Sequence, residues 1–211
     1  MGRGSSGSGR NLGNGGGGVN PANISNERDL VSERERKQAE VDDVLAVARD
    51  IFEEYGIDVG QFMLADIGGK DSGVLAYSDG ENIGFNTAYF NGAQMNAAYD
   101  ASIASGFHPG RGNKSAMEAV ASHEYGHVLT AKAGQKMGIL DMDKAAKTIV
   151  DRARAKTSHK GSVDMAAKIS GYAGKSNAEC IAEAFADVHC NGRKATAESK
   201  AIVSTMIDIL K

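Results

Sequence analysis

Hydrophobic residues recur at helical spacing along most of this chain, and the first long example lies within residues 26–55. In that segment Val44, Ala48 and Ile51 are three or four residues apart, as they would be on one face of a helix. Gly56 follows the last turn of the pattern and is typical of a helix C-terminus. The pattern therefore predicts a long helix that ends just before Gly56.

A small sheet is predicted after this helix. Residues 58–66, 73–78 and 82–86 each suit a strand, and Asp79-Gly80 between the last two is a typical hairpin turn. Two interpretations of residues 82–86 remain open. They form an ordinary hairpin strand, or they form a sheet edge along which an extended peptide adds as a further strand.

The rest of the chain has a mostly helical pattern. Ser115 suits the N-cap of a helix that runs through Lys132 and stops near Gly134. The same spacing predicts further helices at residues 92–104, 141–157, 162–169, 176–190 and 195–210. This order of elements, with one helix, a small sheet and then further helices, is typical of the α+β class, because βαβ units do not alternate along the chain. The predicted fold class is α+β, with a small mixed or antiparallel sheet packed against the helix that follows Ser115.

Composition divides the chain into two parts. Residues 1–19 contain nine glycines and three serines, and such a stretch buries too little apolar surface to offset its ordering entropy. We therefore expect a disordered tail or linker over residues 1–22 and one domain over residues 23–211, of which residues 23–40 form a charged, solvated helical arm. The tail has no apolar core of signal-peptide length, so the expected location is cytoplasmic.

Charge and cysteine usage narrow the expected partners. The net charge is -3, with 24 Lys and Arg against 27 Asp and Glu, so no nucleic-acid partner is expected. No apolar run approaches the roughly 18 residues that a membrane span needs. Cys180 and Cys190 are too few for a disulfide framework, and we expect two buried thiols in a reducing compartment.

The strongest chemical signal is the sequence VASHEYGHVLT at residues 120–130. On a helix, the four-residue spacing puts His123 and His127 on one face, where two imidazoles can reach one zinc ion. Glu124 lies beside them and is placed to take a proton from a zinc-activated water. Apolar flanks favour a buried helix over a surface helix with two exposed histidines.

A catalytic zinc has three protein ligands and one open position, so a third ligand must come from elsewhere. Residues 178–188, AECIAEAFADV, place Glu179 and Glu183 on one helical face, where one can bind zinc while the other hydrogen-bonds a ligand histidine. Ser176 and Glu179 also fit a capping box, which would leave Glu183 as the ligand. Tyr172 precedes this helix and is placed to donate its hydroxyl to an oxyanion.

HEYGH followed by SGYAGKSNAECIAEAFAD resembles the gluzincin metallopeptidases of the anthrax lethal factor type, over about residues 115–187. The resemblance implies a zincin-like fold. It makes His123, His127 and Glu179 the zinc ligands, Glu124 the general base and Tyr172 the oxyanion donor. It also places Glu183 at the second acidic position of the family's pattern. Cys180 and Ile181 stand where the family has aromatic residues, and the substrate-binding part of lethal factor has no counterpart in this chain.

These observations predict a zinc-dependent metalloendopeptidase that acts on a peptide or protein substrate. One alternative is a zincin-like module that cleaves nothing and serves in a virion, since a weaker resemblance extends to phage head-associated and toxin-like proteins. That resemblance would make the chain part of a larger phage or toxin assembly. Another alternative is an interaction module that works through the charged helix at residues 26–40.

Three other histidines have weaker signals. His108, in the loop sequence GFHPGRG, either lines the cleft or is a solvated loop residue, and the solvated interpretation is the default. His159 lies in the polar sequence SHKGS and is expected to be exposed. His189 and Cys190 form an alternative ligand pair, which their distance along the chain from Glu179 disfavours.

Overall fold

In the computed structural model of the chain, the described backbone comprises residues 27–65, 74, 76–78, 82–86 and 92–211. The tail predicted for residues 1–22 and the turn predicted at residues 79–80 lie outside this part. Side chains are described from residue 37 onward.

The described residues form seven α-helices and three strands in the predicted α+β order. They are α1 (Glu27–Tyr55), β1 (Phe62–Ala65), β2 (Ala76–Ser78), β3 (Ile83–Asn86), α2 (Gly92–Ala104), α3 (Ala116–Lys136), α4 (Met142–Ala155), α5 (Ser162–Ala166), α6 (Asn177–Asn191) and α7 (Ala197–Leu210). Short 3-10 helices at Ala173–Lys175 and Gly192–Lys194 flank α6.

The sheet is mixed, with strand order β1-β3-β2. β1 pairs with β3 in parallel, and β2 pairs with β3 antiparallel as the hairpin pattern predicts. The interpretation of residues 82–86 as a free edge is wrong, because β3 is hydrogen-bonded on both sides. Its Ile83 and Phe85 side chains are fully buried, as expected of the central strand of a sheet.

α3 lies at the centre of the molecule and packs most extensively against α6. Tyr125, Val128 and Leu129 on α3 are fully buried. Gly126 allows the close approach of the two helices, because a Cβ at this position would lie 2.7 Å from the Cα of Ala182 on α6. The segment of α3 that contains His123 and His127 is therefore also a segment where α3 lies close to α6.

The start of α3 agrees with the sequence prediction, whereas its end lies further along the chain. Its start is the predicted one, with a capping box in which Ser115 Oγ accepts from the Glu118 amide at 3.0 Å and the Glu118 carboxylate accepts from the Ser115 amide at 2.8 Å. The helix continues two residues past the predicted stop near Gly134, to Lys136. Gly134 instead packs within the fold, where a Cβ would lie 2.7 Å from the Ile139 carbonyl oxygen, and Gly138 has the positive φ of 71° that ends the helix.

α1 covers α3 through the apolar face that the sequence predicts. Val44, Val47 and Ile51 are at most 1% exposed. Glu40 precedes Val44 by one helical turn on the same face and is only 5% exposed. The prediction of a solvated arm over residues 23–40 is therefore wrong at Glu40.

Cys180 and Cys190 are free, buried thiols, as predicted. Burial raises the pKa of both thiols to about 12, so neither is a reactive thiolate at neutral pH. Among the described helices, none is long and apolar enough to cross a bilayer.

Candidate metal centre

His123 and His127 project from the same face of α3, one turn apart. Their ring centroids are 5.0 Å apart and their planes are nearly perpendicular, at 80°. The two side chains are 13% and 14% exposed. The four-residue spacing of the motif thus places two imidazoles side by side at the edge of the core.

Glu179 reaches this pair from the first turn of α6. Its Oε2 lies 3.1 Å from His123 Nε2 and 3.4 Å from His127 Nε2. This oxygen is buried and makes no hydrogen bond of standard geometry with the described residues. The three side chains each offer one ligand atom, all within 4.8 Å of one another, and together they could hold a metal ion.

The capping-box alternative for Glu179 is met only in part. Ser176 Oγ accepts from the Glu179 amide at 3.1 Å, as an N-cap should. The Glu179 carboxylate, however, points toward the two histidines. Among the described contacts, the cap and the imidazoles therefore use different parts of Glu179.

Glu183 lies one turn further along α6 and is completely buried. Its Oε1 is 2.8 Å from His123 Nδ1. Since a carboxylate only accepts, Nδ1 carries a proton, and Nε2, which faces Glu179, is left as the nitrogen that a metal ion could bind in place of a proton. Glu183 thus supports His123 from behind and fixes its tautomer, which is the usual role of a carboxylate behind a metal-binding histidine.

The charges of the cluster suit a cation. Burial opposes the charged form of Glu183, but hydrogen bonds from His108 and His123 lower its pKa to about 2. Burial likewise opposes charge on Glu179, yet its contacts with His123 and His127 hold its pKa well below the ordinary value. Burial disfavours a charged His123, but these same carboxylates raise its pKa well above 6.5.

Glu124 and Tyr172 flank the cluster. Glu124 is buried, and burial raises the pKa of its carboxyl, opposed by the two neighbouring histidines. The half-buried Tyr172 ring has its centroid 5.7 Å from that of His123. Burial and the charges of Glu179 and Glu124 raise the Tyr172 pKa to about 12, so its hydroxyl remains a donor.

His108 belongs to this cluster, so the interpretation of a solvated loop histidine is wrong. Its Nδ1 lies 3.1 Å and 3.2 Å from the two oxygens of Glu183, and its side chain is 19% exposed. Ser170 Oγ donates to the same carboxylate at 2.7 Å. Neither contact follows from spacing along the chain, because 75 residues separate His108 from Glu183.

The other two histidines lie elsewhere. His189 Nε2 is 3.9 Å from Asp50 Oδ2 on α1, beside a separate cavity of about 680 Å³, and it takes no part in the cluster with Glu179. The prediction that His159 is exposed is wrong, because its Nε2 lies 2.7 Å from Glu198 Oε1 and its side chain is 19% exposed.

No family model, curated protein or solved structure matches the chain. The resemblance to the lethal factor type stays a prediction that the motifs alone carry. The geometry of the cluster is therefore the basis for the function proposed below.

Proposed function

We propose that this chain is a zinc-dependent metalloendopeptidase. The observation that supports the proposal most is the convergence of two imidazole nitrogens and one carboxylate oxygen, from His123, His127 and Glu179, on one point. Zinc bonds of about 2.0–2.2 Å in a tetrahedral site separate neighbouring ligand atoms by roughly 3.4 Å. The nitrogen–oxygen distances of 3.1 Å and 3.4 Å fit this requirement.

The donor set also fits the catalytic class of zinc site. Structural zinc sites are closed by four protein ligands, whereas catalytic sites use three and keep one position open. Among the described residues, the cluster contains three. Glu183, which hydrogen-bonds His123, supplies the support that such sites require.

The chemistry divides between the ion and the residues around it. A bound zinc would polarise a water molecule and lower its pKa to about 7. Glu124, adjacent to His123 in the chain, accepts the proton of the attacking water and passes it to the leaving amine. Tyr172 donates its hydroxyl to the carbonyl oxygen of the scissile peptide as negative charge develops there.

The test joins metal analysis with a peptide screen. We expect one zinc per purified chain and cleavage within a peptide library. Glu124→Gln should keep the zinc and lose about 10²–10⁴-fold in rate, because an amide fills the same volume but cannot accept the proton. A Gln variant as active as the parent would mean that another group activates the water.

The screen also separates the proposal from its main alternative. A zinc-loaded parent that cleaves no peptide would support the module without catalysis, such as a virion component. Glu124 and Tyr172 favour the enzyme, since a purely structural zinc site needs neither a base nor an oxyanion donor.

A further inference from the structure

The buried carboxylate of Glu183 joins three parts of the chain that are far apart in sequence. It accepts from His123 Nδ1 on α3 at 2.8 Å and from Ser170 Oγ at 2.7 Å. His108 Nδ1, in the loop between α2 and α3, lies within 3.2 Å of both its oxygens. A buried carboxylate with donors on both oxygens has little freedom to rotate.

The imidazoles of His108 and His123 contact the Glu183 carboxylate through the same ring atom. Each uses Nδ1, and because an ionised carboxylate only accepts, each Nδ1 carries a proton. For His123 this leaves Nε2 facing Glu179. His108 is not itself part of the group of ligand atoms around Glu179, and its hydrogen bonds reach the centre through Glu183.

The loop that carries His108 is anchored on both sides of this residue. Before it, the carbonyl oxygens of Gly106 and Phe107 accept from the amides of Gly171 and Tyr172 at 2.8 Å and 2.9 Å. After it, Arg111 makes two hydrogen bonds to the Asp100 carboxylate of α2, at 2.8 Å and 2.9 Å. Asn191 at the end of α6 also donates to the Gly110 carbonyl oxygen.

The ring of His108 packs against two tyrosine rings. It stacks on Tyr99 with a centroid distance of 5.2 Å and an interplanar angle of 9°. It also contacts Tyr172, with ring centroids 5.3 Å apart and an interplanar angle of 61°. The imidazole thus packs against both a buried tyrosine and the tyrosine beside the metal centre.

We propose that His108 is a positioning residue of the metal centre: its Nδ1–H bond fixes the Glu183 carboxylate, which in turn orients His123 toward the ion. The inference rests on the proposed metal site but not on peptide cleavage. It assigns a function to a loop residue that touches no proposed ligand.

A matched set of substitutions separates the hydrogen bond from simple packing. His108→Asn keeps a donor near the position of Nδ1, whereas His108→Gln carries the same amide one methylene too far. His108→Phe keeps a ring that can pack against Tyr99 and Tyr172 but has no donor. If His108 only fills space, Phe is the best replacement; if it positions Glu183, Asn is the best.

The readout is zinc affinity, measured by competition with a chromogenic chelator on the full chain. Loss of a residue that supports a ligand from behind typically costs about 10–100-fold in metal affinity. We expect this loss for His108→Gln and His108→Phe, and near-parental affinity for His108→Asn. In a Glu183→Gln background, His108→Phe should cause almost no further loss, because the intermediary is already impaired.

Cobalt substitution gives a second readout that packing alone would not move. The visible absorption bands of Co²⁺ report ligand geometry, so they should change in His108→Gln and His108→Phe but stay parental in His108→Asn. Parental affinity and spectrum in His108→Phe, or an Asn variant no better than Phe, would overturn the proposal.

The outcomes also separate this proposal from the proposed function. A parent that binds zinc but cleaves nothing would end the peptidase proposal and leave the positioning test intact. A parent that binds no zinc would end both. If His108→Phe does not fold, the comparison of Asn with Gln, two amides that differ by one methylene, decides the question.

Discussion

At the scale of single residues, two glutamates one helical turn apart on α6 have different surroundings. Glu179 faces the imidazole Nε2 atoms of His123 and His127, whereas Glu183 faces the Nδ1 atom of His123. The sequence predicts that both lie on one helical face, but this periodicity cannot say which carboxylate lies in front of the histidines.

Zinc affinity of the two Gln variants tests this division. Glu179→Gln should lose zinc sharply, since it replaces the one negatively charged ligand of the three with a neutral amide. Glu183→Gln should lose about 10–100-fold, because it only loosens His123. Ser176→Ala is the control for the helix cap and should cost only about 1 kcal/mol in stability. The assignment is wrong if Glu183→Gln releases zinc to a chelator more readily than Glu179→Gln.

Tyr172→Phe tests the oxyanion donor. A hydroxyl that bonds only the tetrahedral state contributes to the transition state and not to substrate binding. We expect kcat to fall about 10²–10³-fold with little change in KM, as when one oxyanion-hole donor is removed. Steady-state kinetics on a cleaved peptide give both values, and the zinc content of the variant should stay parental. An effect confined to KM would make Tyr172 a substrate-binding residue instead.

At the scale of elements, the site depends on how closely α3 and α6 approach. Glycine inside a helix costs about 1 kcal/mol relative to alanine. Gly126 nevertheless occupies the middle of α3, because a Cβ there would lie 2.7 Å from the Cα of Ala182. The close approach brings Glu179, near the start of α6, within reach of both histidines on α3.

Gly126→Ala should therefore destabilise the protein and weaken zinc binding together. Overpacking typically costs about 1–3 kcal/mol, which outweighs the gain in helix propensity. The shift of α6 should also withdraw Glu179 from the histidines. Gly174→Ala is the matched control, because its new Cβ would meet nothing within 4 Å. Chemical denaturation and chelator competition measure the two effects, and a Gly126→Ala variant with parental values in both would contradict this account.

The bounds of α2 and α3 show which features of a helix can be predicted from the sequence. The bounds predicted for the helix at residues 92–104 agree with α2, because local spacing and flanking polar residues determine a short helix. The sequence pattern predicts that α3 stops near Gly134, since a glycine late in a helix often marks its end. Here Gly134 is needed for tertiary packing against the Ile139 carbonyl oxygen, and only Gly138 has the conformation of a stop.

At the scale of the whole molecule, the buried Glu183 ties global stability to pH. Its pKa falls from the ordinary value of 4.5 to about 2 on folding, so folding favours the ionised form. The resulting stabilisation is present in full above pH 4.5 and is lost as the pH falls from 4.5 toward 2.

Denaturant unfolding of the metal-free protein across this range should show stability declining with acid. Glu183→Gln cannot ionise, so its stability should be lower at neutral pH and should change less between pH 4.5 and 2. Parallel pH profiles for the parent and the variant would contradict the role given to this carboxylate.

Within the candidate site, the sequence predicts the residues that lie at regular spacing within one helix or one short segment. His123, Glu124 and His127 lie within one helix, and the sequence pattern places Glu179 and Tyr172 by their spacing in a second segment. His108 and Ser170 meet Glu183 through a loop and a turn. No periodicity describes such long-range contacts, because they depend on how the helices pack.

The contact between Gly126 and Ala182 also restricts which second mutations can rescue a damaged protein. A methyl group at position 126 would strike the α-carbon of Ala182, and every amino acid has that atom. Shortening Ala182 to glycine therefore leaves the collision in place. We expect suppressors of Gly126→Ala to shift α6 as a whole, through its packing against neighbours such as α4 and α7. Compensation at this helix pair would then involve several residues and not a single partner residue.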